Sequence, residues 1–162
     1  MNSQNEEIVH QFYSAFQKKN AEGMINKYHQ DIIFEDPAFG VLKGERAKSM
    51  WTMLCATATD LKINFEVLSS DGNTVEARWE AFYTFSRTGR KVHNKINASF
   101  IIENGEIVKH TDIFDLHKWA TQAIGMQGRL LGWTGFFKSK LNQQTAKLLT
   151  RFMNETKSSD TN

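Results

Sequence analysis

The spacing of apolar residues changes once along this chain, at Leu61, and that change restricts what the chain can fold into. Before it, Val9, Phe12, Tyr13 and Phe16 recur at helical spacing, and Ala47, Met50, Trp51, Leu54 and Ala58 do so again. After it the period is two: Ile63, Phe65 and Val67, then Val75, Ala77, Trp79, Ala81, Tyr83 and Phe85, then Ile96, Ala98, Phe100 and Ile102. Turn pairs at Asp71-Gly72, Thr88-Gly89 and Asn104-Gly105 separate these runs. Helices followed by a long antiparallel meander predict an α+β fold with the helices on one face of the sheet.

Local signals place the remaining elements. Ser3 and Glu6 fit a capping box that opens the first helix. A short second helix is expected from Asn20, with Met24, Ile25 and Tyr28 on its inner side. Asp31 to Asp36 reads as a short extended run, stopped by Pro37, the only proline. Asp115 suits the N-cap of a helix over Leu116 to Ile124. Four glycines then punctuate a Leu/Trp/Phe-rich stretch, before a long helix capped by Thr134. That helix carries an apolar stripe of Phe137, Leu141, Leu148 and Phe152, beside a row of Lys140, Lys147 and Arg151.

The hairpin at Asn104-Gly105 decides which residues of the last strand, Ile107 to Phe114, share a face. A two-residue loop puts Lys109 and Thr111 beside Ala98 and Phe100; a three-residue loop puts Val108, His110, Asp112 and Phe114 there. Burying Lys109 costs far more than burying Val108, so the three-residue loop is expected. His110 then faces Ala98, Asp112 faces Ile96, and the two polar residues lie about 7 Å apart on one face.

A length of 162 residues favours one domain, and 40% apolar with 23% charged residues excludes a disordered or collagen-like chain. The net charge of +2 hides a division. Through His117 there are 13 Lys and Arg against 16 Asp and Glu, a balance of −3; from Lys118 onward it is 7 against 2, or +5. The negative body argues against nucleic-acid binding. One cysteine, Cys55, cannot pair internally, so a reducing, cytoplasmic setting is expected. The first residues show neither a basic start nor an apolar run, so no signal peptide is expected. Dinucleotide, phosphate-loop, serine-hydrolase and zinc-protease motifs are all absent, and the five histidines show no zinc spacing.

Particular motifs carry a resemblance. Phe12 on the first helix, Glu35-Asp36-Pro37-Ala38-Phe39-Gly40, Thr88-Gly89-Arg90-Lys91, Asn104-Gly105-Glu106-Ile107, His110-Thr-Asp112-Ile-Phe-Asp115 and Gln122-Ala-Ile-Gly125 are the residues concerned. With them the chain resembles the ketosteroid isomerase and SnoaL-like polyketide cyclase branch of the NTF2-like superfamily. The resemblance implies three N-terminal helices packed on a curved antiparallel sheet, forming a cone with a deep apolar pocket. Residues 1–125 would form this domain, and 126–162 a basic amphipathic helical extension of it. A homodimer through the outer sheet face is expected, and no metal or organic cofactor is implied.

The resemblance puts a proton-abstracting base at Asp36. Phe12 and Ala98 occupy the positions of the isomerase oxyanion donors, and neither can donate a hydrogen bond. His110 and Asp112 could supply acid–base groups in their place. The pocket would be lined by Phe12, Phe16, Trp51, Trp79, Tyr83, Asn94, Ala98, Phe100 and Phe114, around an apolar small molecule. Each polar residue also has a structural reading: Asp36 as a turn former, and His110 as a satisfied core histidine. Lys95 and His93 are expected on a solvated or dimer-facing surface. Arg78 alternates away from the pocket, against an Asp-Arg-Asp set for epoxide hydrolysis. The expected function is an isomerase or cyclase acting next to a carbonyl. The alternatives are a non-catalytic hydrophobic-ligand module, or a scaffold acting through its C-terminal helix. That helix could pack on the body, on a partner, or on an anionic membrane surface.

Overall fold

The computed structural model describes residues 3–161. Helix α1 (Gln4–Gln17) opens with the expected capping box: Ser3 Oγ accepts the Glu6 N–H at 3.1 Å, and the Ser3 N–H donates to Glu6 Oε2 at 3.3 Å. Its buried face carries Val9, Phe12, Tyr13 and Phe16. Asn20 caps the short α2 (Ala21–Ile25) through the Gly23 N–H. The capless α3 (Glu45–Thr57) buries Ala47, Met50, Trp51, Met53 and Cys55.

Six strands form one open sheet in the order β2-β1-β6-β5-β4-β3. They are β1 (Tyr28–Asp36), β2 (Gly40–Lys43), β3 (Lys62–Asp71), β4 (Thr74–Phe85), β5 (Arg90–Glu103) and β6 (Glu106–Ile113). Every junction is antiparallel except β1 with β6, which is parallel and sets Phe34 beside His110. Two details differ from the sequence reading. Tyr28 opens β1 rather than closing α2, because it shares the parity of Ile32 and Phe34 on the buried face of the strand. The residues after Pro37 return as β2, so Asp36-Pro37 is the start of a hairpin turn.

The β5–β6 hairpin uses neither expected arrangement in full. Glu103 pairs with Glu106 across a two-residue loop, with Asn104 and Gly105 both left-handed (φ 52° and 83°), as a mirror-image turn requires. The pairing then jumps from Ile102–Ile107 to Ile101–Lys109, so Val108 is the extra residue of a β-bulge. The bulge restores the parity that the loop alone would lose. His110 and Asp112 therefore still face inward, but opposite Phe100 and Ala98 rather than Ala98 and Ile96.

Beyond the sheet, Asp115 caps α4 (Leu116–Ile124), accepting the Lys118 N–H at 2.9 Å. After α5 (Met126–Leu131), Thr134 caps α6 (Gly135–Ser159). Here the expected stripe is corrected: Leu149 is buried and Leu148 is exposed. Two polar residues rotate the helix. Asn142 Nδ2 donates to the carbonyls of Pro37 (2.9 Å) and Ala38 (2.7 Å), and Thr145 Oγ1 donates to Ala38 (2.9 Å). With these turned inward, the contact face runs through Leu141, Leu149, Phe152 and Met153.

Candidate functional site

Aromatic rings fill the narrow end of the cone. Phe12 lies 5.5 Å from Trp51 and 5.9 Å from Phe100, and Phe16 lies 5.2 Å from Trp51 and 5.6 Å from Trp79. Those residues and Ala98 are buried and pack on one another. Among the expected lining residues, Tyr83, Asn94 and Phe114 keep partial exposure. Tyr83 and Phe114 sit where the main core meets a second cluster built on Trp119, Phe137 and Leu141. Helices α4 and α6 thus cover the wide end.

Two polar centres face this interior. The first is His110 with Asp112. His110 Nε2 and Asp112 Oδ1 are 2.9 Å apart, and both side chains are buried. Tyr28 Oη lies 2.7 Å from His110 Nδ1 and accepts the Trp51 indole N–H at 2.8 Å. Trp79 donates to Asp112 Oδ1 at 3.3 Å. Burial pushes the Tyr28 phenol well above its ordinary value, so it keeps its proton. One assignment then satisfies every donor: the imidazole proton on Nε2 goes to Asp112, and the Tyr28 hydroxyl donates to Nδ1. Stacking by Phe100 (4.1 Å) and Trp51 (5.8 Å, 7° between planes) fixes the ring. The sequence reading missed Tyr28; the parity it shares with Ile32, Phe34 and Asp36 was the available signal.

The second centre is Asp36, at the end of β1. Its Oδ1 accepts the N–H groups of Ala38 (2.9 Å) and Phe39 (2.5 Å), which makes it the turn former. Protein nevertheless crowds the carboxyl while leaving it some solvent contact. Burial raises its pKa to about 7, against the two backbone bonds; the Asp112 charge adds to the rise and Lys138 of α6 opposes it. The turn and base readings are thus compatible, since the turn occupies one oxygen and burial tunes the acid. The charge of Asp36 also helps raise the Tyr83 phenol, which lies at the same wide end.

Tyr13 is a third group that sequence reasoning did not single out. Its phenol is buried, raised well above the ordinary value by burial and the Asp112 charge, and has no hydrogen-bond partner among the described residues. Arg78 points outward, as expected. His93 and Lys95 face Glu80 at 3.5 and 3.8 Å, and with Lys118 and Arg129 they line an open groove of about 460 Å³.

A curved open sheet closed by helices, with a carboxyl at the end of its first strand, defines an NTF2-like domain. Residues 9–110 match the family model of the SnoaL-like domain, and the chain belongs to that family. Its fold is shared by a proposed polyketide cyclase of Pseudomonas putida KT2440 (18% identity, 75% of this chain and 99% of the other, TM-score 0.65). It is shared by IdmH of Streptomyces antibioticus, a proposed polyketide cyclase (20% identity, 74% and 98%, TM-score 0.63). An LEH-like epoxide hydrolase of M. tuberculosis is also similar (16% identity, 80% and 91%, TM-score 0.58). No curated protein sequence matches the chain.

Proposed function

We propose that the protein abstracts a proton next to a carbonyl of an apolar small molecule, with Asp36 as general base, in an isomerase or cyclase reaction. The observation that carries this reading is the placement of Asp36, half-buried at the end of β1 with one carboxyl oxygen engaged by the turn; burial there raises its pKa to about 7, close to the value at which a base is both free and strong. Oδ1 is held by the turn, so Oδ2 is the oxygen for proton transfer. His110 and Asp112 act on Asp36 through charge: Asp112 keeps the base weakly acidic, and the closed network holds Asp112 in place. The partly exposed Tyr83, Asn94 and Phe114 support placement of the substrate at the wide end. The polyketide cyclase neighbours support the same reaction class.

Deuterium uptake by α-tetralone in heavy water, followed by mass spectrometry, tests proton abstraction whatever the natural product of the reaction. Exchange should exceed the buffer rate and fall about 10²–10⁴-fold in Asp36→Asn. An Asp36 that titrates in the ordinary carboxylate range by NMR overturns the reading. Retention of α-tetralone without exchange identifies a ligand-binding module instead.

A further inference from the structure

The corner between α5 and α6 exposes large apolar side chains that the fold had the means to bury. Met126, Leu130, Trp133 and Phe136 are 70%, 63%, 73% and 72% exposed. The cause is the packing of α5 on α4. Gly128 is buried against the Ala120 carbonyl, and a Cβ on Gly132 would come within 2.7 Å of the Ala120 Cβ. Glycines four apart therefore form the packed face, and the opposite face, at i, i+4 and i+7, is Met126, Leu130 and Trp133. This helix turns its small residues inward and its large apolar residues out, the reverse of a core helix.

The charge along this stretch of chain is of one sign. Between Asp115 and Glu155 there is no acidic residue, while Lys118, Arg129, Lys138, Lys140, Lys147 and Arg151 lie within that span. Lys140 Nζ stands over the Phe136 ring, 5.3 Å from its centroid, so a cation adjoins one of the exposed apolar side chains directly. Lys147 continues the exposed side of α6 below it, followed by Arg151, which is paired with Glu155 at 2.8 Å. We infer that this corner docks on an anionic lipid bilayer, with Trp133, Phe136, Leu130 and Met126 entering the headgroup layer and the cations meeting the phosphates. Charge decides against a second copy: a twofold contact through this face would set basic surface on basic surface. No helix among the described residues is long and apolar enough to cross a membrane, so the contact is peripheral.

Trp133 provides its own probe. Trp51, Trp79 and Trp119 are 1%, 8% and 7% exposed, so an environmental change at the surface is reported by Trp133 alone. The full chain is mixed with vesicles of phosphatidylcholine, or of phosphatidylcholine with about one-third phosphatidylglycerol. Co-sedimentation and a blue-shifted emission quenched by brominated acyl chains are expected only with phosphatidylglycerol. Trp133→Ser with Phe136→Ser should weaken partitioning at least about tenfold, and Lys140→Gln about fivefold. These side chains are exposed, so thermal melting should stay unchanged. Failure to sediment with either vesicle overturns the proposal. So does equal binding by the double variant, or self-association of the free chain that Trp133→Ser abolishes.

Discussion

The His110 and Asp36 centres lie on neighbouring strands of one sheet, yet the first is bonded to side chains of four elements and the second only to its own turn. Around His110 both ring nitrogens are engaged, by Tyr28 and by Asp112 Oδ1, and Trp51 and Trp79 donate to those same two partners. Around Asp36 one oxygen is engaged by the turn, the acid is tuned close to neutrality, and α6 rather than the sheet supplies the cover. In the buried imidazole–carboxylate pair both imidazole nitrogens are thus committed to protein partners. Under the proposed function it is Asp36, half-buried with Oδ2 outside the turn and a pKa raised by burial to about 7, that exchanges the proton.

That contrast can be broken most forcefully at His110. His110→Ala should cost about 3–5 kcal/mol in urea unfolding, because it strands the Asp112 charge and the Tyr28 hydroxyl in the interior. A loss as small as that of a surface variant would mean the centre is not sealed. Tyr28→Phe tests the next bond of the same network. It leaves the Trp51 N–H and His110 Nδ1 unpaired and should cost about 1–3 kcal/mol in the same assay.

Asp36 should behave in the other direction. Its folded pKa, about 7, lies above the unfolded value near 3.8, so the folded state binds the extra proton. Stability contributed by this group is greatest at acid pH and is lost as pH rises through the interval from about 4 to 7. Asp36→Asn removes the penalty. Thermal melts should show it more stabilising, relative to the parent, at pH 8 than at pH 4, and a gain that does not grow with pH contradicts the assigned shift. Tyr13→Phe has the smallest expected effect, a gain of up to about 1 kcal/mol from removing an unpartnered hydroxyl. A loss of stability instead would mean that the hydroxyl has a partner in solution.

Much of this molecule is legible in short stretches of chain. The Ser3–Glu6 box, the Asn20, Asp115 and Thr134 caps and the turn glycines all operate over three or four residues, and each is where the sequence predicts it. The inward parity of His110 and Asp112 is also legible, although the hairpin reaches it by a bulge at Val108 rather than by a longer loop. The rotation of α6 is less so, because an apolar stripe cannot show that Asn142 and Thr145 find two carbonyls more than a hundred residues away.

By itself, then, the sequence determined the helix-then-strand order, the faces of the strands, the acidic body with its basic extension, and Asp36 as a residue of interest. The first three follow from periodicity, local hydrogen bonding or charge, and the last from the family resemblance of the Asp36-Pro37 motif. Only the tertiary structure decided that β1 lies parallel to β6, that Tyr28 completes the His110 network, that burial carries Asp36 to about 7, and that α5 faces its apolar residues outward. Those outcomes depend on desolvation and on contacts between distant segments, which no local pattern encodes.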